Sequence, residues 1–567
     1  MVALLAGCSA LLGAEPEAPP GAPETGTANV LTALSLGRAP AWDPQRIGSR
    51  STAALAGRLY LRTLTAYTPE RDGADGTSRL VGDLATDTGT PSSDLTEWTF
   101  TLREGPAWEN GDPVTCADVR YGVSRAFAKG VAGGANYAAA YLDIPRHKDG
   151  TSTYPGPYGT STKAAANEAL IRKAVECDGR KVTFHLSEPI ADFDEMVSLP
   201  IFAPFAKGKD TGEDGRWAAW SNGPYRLGEA WKAGSGGTWV RNPAWDRESD
   251  PIRQARPDTI VLREGVSPED VVTNVLDPET GRASVTLDPV PPALRAALAE
   301  RDDVTVESIT PRAQLVDYLA PNMRSTVFRT REVRRAFAMA TDRTAYVRAL
   351  GGRGAAQEAW TLLSPTLKSH HDLGPEAGGP ARPAEARSLL RKEKVALPVK
   401  VRLAYRSSPL QDKAIGALLD TWREAGFDVT LVPIEDDYFA TAADPARAKQ
   451  VDVFWSNWAA DWASASTVLP PLFDSRINLT SKTSGRDYGY YDSDKVNRAF
   501  TRANAMADER KRVKAWQDVD VDILRDGGYI PLAQRRSLYL GGDRVTHFQG
   551  AEVYDGAVDL AVIGVQQ

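Results

Sequence analysis

The chain has 567 residues and a mass of 61.2 kDa; cores stop growing near ~250–300 residues and domains cluster near ~150, so three or four units are expected. Its 42% hydrophobic and 25% charged residues are those of a globular protein and exclude collagen, a coiled-coil rod and wholesale disorder. The 74 acidic against 67 basic residues give a charge of −7 with no long block of one sign, which counts against nucleic acid as the main partner, and three cysteines with five histidines are too few for a zinc ribbon or a multi-haem protein.

Leu5-Ala6-Gly7-Cys8 has the form of a bacterial lipobox, in which small residues admit a peptidase and Cys8 carries the lipid. The apolar stretch around it is about a dozen residues, too short to span a ~30 Å hydrocarbon core, and fits the end of a signal-peptide h-region. The basic n-region is missing, which predicts a start further upstream or a shortened gene model. Residues 1–8 are therefore read as a signal-peptide remnant with lipobox; the plainer alternative is an apolar N-terminus with a buried Cys8. Residues 9–29 are read as a flexible tether, because Ala14 to Ala28 is rich in Pro, Ala, Gly and Glu and has nothing to bury. No later stretch approaches a transmembrane helix. The expectation is an extracytoplasmic body anchored by lipid to the outer face of the bacterial cell membrane. In that oxidising compartment Cys116 and Cys177 remain as an even pair. They form either a disulfide closing a loop of about sixty residues, contributing ~3–4 kcal/mol, or two separate buried thiols.

Val30 to Leu34 reads as a short apolar strand. Trp98 to Arg103 and Val182 to Leu186 alternate apolar and polar with period two, as half-buried strands do. Between them Asp118 to Ala128 reads as a helix, and Gly130 to Ala165, rich in Gly, Tyr, Pro and Ser, as a long surface loop. Arg331 to Leu350 carries an apolar stripe of Val333, Ala336, Phe337, Ala340 and Val347 and is expected as one helix. Leu410 to Ala425 is expected as another, with Gly426 at its left-handed C-cap. Val399 to Leu403, Phe427 to Val432 and Val451 to Trp455 read as strands around it. Val496 to Met506 and Val513 to Leu524 follow as amphipathic helices, before the extended Tyr529 to Leu532. Mixed strands and helices without a fixed repeat make an α/β protein.

Catalytic constellations are missing. There is no Gly-x-Ser-x-Gly elbow, His-Glu-x-x-His, Walker A loop or dinucleotide fingerprint. Gly351 to Gly354 lacks the strand-before, helix-after context of a phosphate cradle and reads as a flexible loop. Adjacent His370 and His371 have no metal-ligand companions and read as surface loop residues. One segment rises above this background. Val453 to Trp462 packs three tryptophans, Trp455, Trp458 and Trp462, around Asp461 at the end of a strand. A carboxylate among aromatics needs a cation if it is to stay charged. That cation is either an internal Arg or a ligand ammonium, and Trp455 is as readily core as site.

Several stretches together resemble one family, the extracytoplasmic solute-binding proteins that include the oligopeptide- and dipeptide-binding proteins of ABC importers (family 5). Trp98 to Gly105 followed by Trp108 to Val119 is similar to the family signature and is the most specific match. Asn222-Gly223-Pro224-Tyr225-Arg226 resembles its "tGPY" turn, Arg241-Asn242-Pro243 its "rNp" turn, and Arg331 to Arg343 its "VRqAl..AiDR" helix. Trp458 to Trp462 resembles its "gW.aDy" segment, and Tyr490 to Ser493 with Tyr529 to Leu532 its closing motifs. The matches run in order from about residue 30 to about 540.

The resemblance implies a two-lobed periplasmic-binding-protein-like fold of type II, cluster C, with an extra subdomain inserted in the first lobe. Lobe I would comprise 30–55, 190–308 and 531–567, the inserted subdomain 56–189, and lobe II 309–530. Both Cys116 and Cys177 would lie in the insertion, which supports their pairing. Asp461 occupies the position that pairs with a peptide's free α-ammonium in the family's peptide binders. Trp458 would line the cleft beside it, with Trp455 and Trp462 nearby. Asn322 aligns with an Asn of a "yl.fN" segment near the hinge, where a structural turn Asn is the equal alternative. One departure touches the ligand. Peptide binders often carry a second acidic "DpD" element after the aspartate, whereas Trp462-Ala463-Ser464-Ala465-Ser466 follows here. The implied function is a monomeric, non-enzymatic lipoprotein that captures peptides and delivers them to a membrane ABC permease, without cofactor or metal. The alternatives are an oligosaccharide receptor using stacked tryptophans, a ligand sensor, and, with no motif behind it, a secreted hydrolase. Five histidines count against nickel.

Overall fold

The computed structural model describes residues 29–70, 78–148, 150–158, 164–291, 294–295, 298, 306–371, 373 and 379–566. Cys8, the lipobox and the tether up to Ala28 lie outside the described residues. Among the described residues no helix is long and apolar enough to cross a membrane.

Val30–Leu34 forms the middle of a seven-stranded sheet. It runs parallel to Thr259–Arg263 on one side and Ser284–Thr286 on the other, and a strand so enclosed has no edge to solvent. Gly236–Arg241 and Tyr225–Leu227 extend the sheet outward on one side, Tyr539–Gly542 and Val306–Ile309 on the other. Much of the tryptophan count serves this lobe's core. Trp42 meets Trp231 and Trp239 edge to face at 5.0 and 5.1 Å, and Tyr60 stacks on Trp239.

A separate four-stranded sheet holds Glu97–Thr101 between Thr90–Pro91 and Lys181–His185, with Val175–Asp178 on the far side. The period-two pattern turns Trp98, Phe100, Val182 and Phe184 inward. Helix Cys116–Arg125 covers them, started by a capping box between Thr115 and Asp118. Cys116 and Cys177 are joined as a disulfide, Cα atoms 5.8 Å apart, which ties the helix to the edge strand. Buried ion pairs fix this subdomain to the first lobe. Arg62 and Arg253 share Asp83 at 2.8 and 2.9 Å, and Arg253 also meets Asp250 at 3.2 Å, all four side chains being out of water. Arg125 reaches Asp43 at 2.6 Å, also buried.

The second lobe is built on a six-stranded sheet in the order Ala356–Glu358, Ile530–Arg536, Arg312–Pro321, Val453–Trp458, Val399–Arg406, Phe427–Ile434. The chain enters it between Ile309 and Arg312 and leaves between Arg536 and Tyr539. The exit expected at 530/531 therefore moves past Arg536, because Ile530–Arg536 pairs with both Arg312–Pro321 and Ala356–Glu358. At the entry, Arg312 pairs with Glu552 at 2.7 Å, and Asp555 accepts hydrogen bonds from the backbone N–H groups of Gln314 and Leu315.

Three local expectations need correction. Residues 331–350 form two helices, Arg331–Met339 and Arg343–Ala349, because Asp342 accepts from the Ala345 N–H and caps the second. Residues 410–425 likewise divide into Pro409–Gly416 and Leu419–Ala425, although Gly426 does adopt the left-handed cap at φ 96°. The expected loop from Gly130 to Ala165 contains a helix, Tyr137–Tyr141, started by Asn136, whose side chain accepts from the Ala139 N–H.

Candidate functional site between the lobes

The strand Val453–Trp458 delivers the segment 459–468 to the first lobe, and Asp461 lies at its tip. Two residues from the first-lobe side meet it. Arg50, the first residue of helix Arg50–Leu59, places Nη1 3.5 Å from Asp461 Oδ1 and donates through Nη2 to Gln314 Oε1 at 3.1 Å. The Tyr137 hydroxyl donates to Asp461 Oδ2. Burial, and then the charge of Asp461, push that hydroxyl well above the ordinary tyrosine range, so it keeps its proton and remains a donor. The Asp461 N–H is held by Thr467 Oγ1 at 2.6 Å, which fixes the loop from within.

Asp461 and Arg50 also line a cavity of about 60 Å³ with Leu61, Thr63, Arg253 and Tyr554. Ligand pockets commonly measure roughly 300–1,000 Å³, so this one admits water and no extended ligand until the lobes part. The Arg50–Asp461 contact is long for a charge-assisted bond, and 31% and 22% of the two side chains remain exposed. An internal cation thus faces the carboxylate through a long, part-exposed contact.

The tryptophans take other roles. Trp462 is 2% exposed and belongs to the subdomain's hydrophobic core. Its Nε1 donates to Asp192 at 3.0 Å, and its ring meets Tyr137 at 5.0 Å, edge to face. Ser466 donates to the same Asp192, and the Ala463 N–H donates to the Tyr67 hydroxyl at 3.2 Å. Trp462 is therefore a plug packed between the lobes, a second-lobe side chain seated in the subdomain's core. Trp458 donates through Nε1 to the Thr467 carbonyl at 2.8 Å and carries the Arg486 guanidinium over its ring at 4.7 Å. It braces the loop from beneath.

Two expected ligand contacts lie away from this cavity. Trp455 is 4% exposed in the second lobe's core, donating to the Tyr346 hydroxyl at 3.1 Å. Asn322 is 2% exposed and fully used in a turn: Nδ2 donates to the carbonyls of Ala448 and Val451, and Oδ1 accepts from the Arg324 N–H. Its structural reading holds. His370 and His371 also differ from free surface residues. His370 Nδ1 lies 2.6 Å from the Leu363 carbonyl, and His371 Nε2 lies 2.8 Å from Asp520, which is buried. Among the described residues no group of His, Cys, Asp and Glu could hold a metal ion. Sequence reasoning missed Arg50 and Tyr137, which approach Asp461 from 411 and 324 residues away.

Two α/β lobes joined by two crossings, with a third sheet built onto the first, define the extracytoplasmic binding-protein class. The model for bacterial extracellular solute-binding proteins, family 5 (middle region), matches residues 79–479, and the chain belongs to that family. It is 23% identical over 469 residues to the dipeptide-binding protein DppE of Bacillus subtilis, covering 80% of this chain and 79% of that protein. It is 24% identical over 454 residues to the periplasmic oligopeptide-binding protein OppA of Salmonella typhimurium, covering 78% and 77%. Among solved structures, the clavulanic acid biosynthesis oligopeptide binding protein 2 superposes with a TM-score of 0.83 at 26% identity, covering 95% of this chain and 96% of that one.

Proposed function

We propose that the protein is the peptide-capturing receptor of an ABC importer, held outside the cell membrane by lipid on Cys8 and acting as a monomer without chemistry of its own. The observation that carries this reading is Asp461 at the interlobe cavity, whose side chain is paired among the described residues with Arg50, through a long contact, and with the neutral donor Tyr137. On opening, the free α-ammonium of a peptide replaces Arg50 on the carboxylate, while the Tyr137 hydroxyl keeps its bond. Closure then removes water from a full charge pair, which strengthens it. Main-chain hydrogen bonds to the remaining peptide would add affinity without reading side chains. The relatives named for dipeptide and oligopeptide binding support the same ligand class.

The oligosaccharide reading gets less support beside Asp461, where Trp455 and Trp462 are buried and the Trp458 ring carries Arg486. Calorimetry with di- to hexapeptides and with cello- and xylo-oligosaccharides separates the two. Saturable heats for peptides alone are expected. Binding of the sugars and not of the peptides would overturn the reading, and release of cleaved product from either would make the protein a hydrolase.

A further inference from the structure

A cavity of about 550 Å³ lies wholly within the second lobe and shares no residue with the interlobe site. Five arginines line it: Arg331 and Arg335 one turn apart on helix Arg331–Met339, Arg343 at the start of the next helix, Arg382 before helix Pro383–Lys392, and Arg525 at the end of helix Glu509–Arg525. No Asp or Glu is among its described lining residues. Local partners account for only part of this charge. Arg331 donates to the Arg525 carbonyl and stands 3.8 Å from Asp526, and Arg382 meets Glu385 at 3.3 Å. The Arg335 and Arg525 side chains make no hydrogen bond or ion pair among the described residues.

Arg343 is the informative member. It is 4% exposed, lies over the Trp360 ring at 4.7 Å, and donates only through Nε, to the Pro531 carbonyl at 2.7 Å. Its two Nη groups have no acceptor among the described residues, although it lines the cavity. Loss of hydration lowers its pKa to about 10, and the charges of Glu358 and Asp342 only partly restore it. A guanidinium whose Nη groups open into a cavity among like-charged neighbours favours an anion there. A planar fork of N–H donors is the group that recognises phosphoryl oxygens two at a time.

We propose that this arginine-lined cavity binds a multiply charged phosphoryl anion, either a free one of nucleotide size or smaller or the headgroup of an anionic lipid. The volume lies within the roughly 300–1,000 Å³ of small-molecule sites and exceeds the needs of a single inorganic phosphate. Titration calorimetry of the full chain with sodium pyrophosphate at low salt tests the free anion. Flotation with phosphatidic acid vesicles, whose phosphomonoester headgroup can carry two charges, against phosphatidylcholine vesicles, tests the headgroup. Saturable binding of either probe is expected, weakened about tenfold by each of Arg335→Gln and Arg382→Gln, whose exposure keeps the fold intact, and further by Arg343→Met. Binding of pyrophosphate alone assigns a free ligand, and binding of the anionic vesicles alone assigns a lipid. No saturable binding of either, or binding untouched by the Arg335→Gln/Arg382→Gln double variant, overturns the proposal. Peptide calorimetry reads the other cavity, so the two proposals fail separately.

Discussion

Arg50 joins the first-lobe helix to Gln314 and Asp461, both from the second lobe, and so offsets a carboxylate that would otherwise be costly. Nearby, Asp194 and Glu195 follow Asp192 at the seat of the Trp462 plug. Burial, reinforced by the charge of Asp192, pushes their carboxyls up to about 7 and about 8. A carboxyl with a raised folded-state pKa contributes stability that is fully present below its unfolded value near ~4 and is lost as pH rises through 7 to 8. Urea midpoints are therefore expected to fall between pH 5.5 and pH 8.5. The Asp194→Asn/Glu195→Gln variant should flatten that fall; an unchanged slope would show that these groups do not carry it.

Elements differ in how firmly they are joined. The inserted subdomain meets the first lobe through a carboxylate with no exposure, Asp83, bonded to Arg62 and Arg253. Removing one partner from such a cluster leaves uncompensated buried charge and costs about 3–5 kcal/mol. Asp83→Ala should lower the unfolding free energy by that amount in denaturant titrations, while Asp420→Ala, an exposed partner of Arg423, should change it by less than about 1 kcal/mol. Equal effects would contradict the distinction. The same elements show what a sequence carries. Period-two alternation at Trp98 to Leu102 and a glycine cap at Gly426 are local chemistry, and both were legible. The break at Asp342 was not, because one apolar stripe runs on across two helices and only the capping geometry divides them. Tyr137 was hidden differently. A five-residue helix has too few turns for a stripe, and its partner Asp461 lies in the other lobe.

For the whole molecule, the second lobe meets the first and its insertion through the segment carrying Asp461, Trp462, Ala463 and Ser466, through Gln314 on Arg50, and beside the crossings through Arg312 on Glu552 and Asp555 on the Gln314 and Leu315 N–H groups. With a cavity of only about 60 Å³ at Asp461, the proposed peptide capture needs the crossings at 309–312 and 536–539 to bend. Trp462→Ala removes the plug, so solution X-ray scattering should give a larger radius of gyration than the wild type without ligand. An identical radius would mean that other contacts hold the lobes. The motif put Asp461 at the end of a strand, where the structure has it, whereas the burial of Trp455 and Trp462 was not legible because an aromatic near a site and an aromatic in a core look alike in sequence. For Asn322 the turn was one of two equal readings, and its hydrogen bonds are those of a turn. The central claim is that Asp461 receives a peptide's α-ammonium, and calorimetry of a tripeptide and its N-acetylated form against wild type and Asp461→Asn tests it most directly. A loss of about one to two orders of magnitude is expected on either change alone, with no further loss when they are combined, as for a charge-assisted bond worth ~1.5–3 kcal/mol. Unchanged affinity of Asp461→Asn for the free-amino peptide would contradict it.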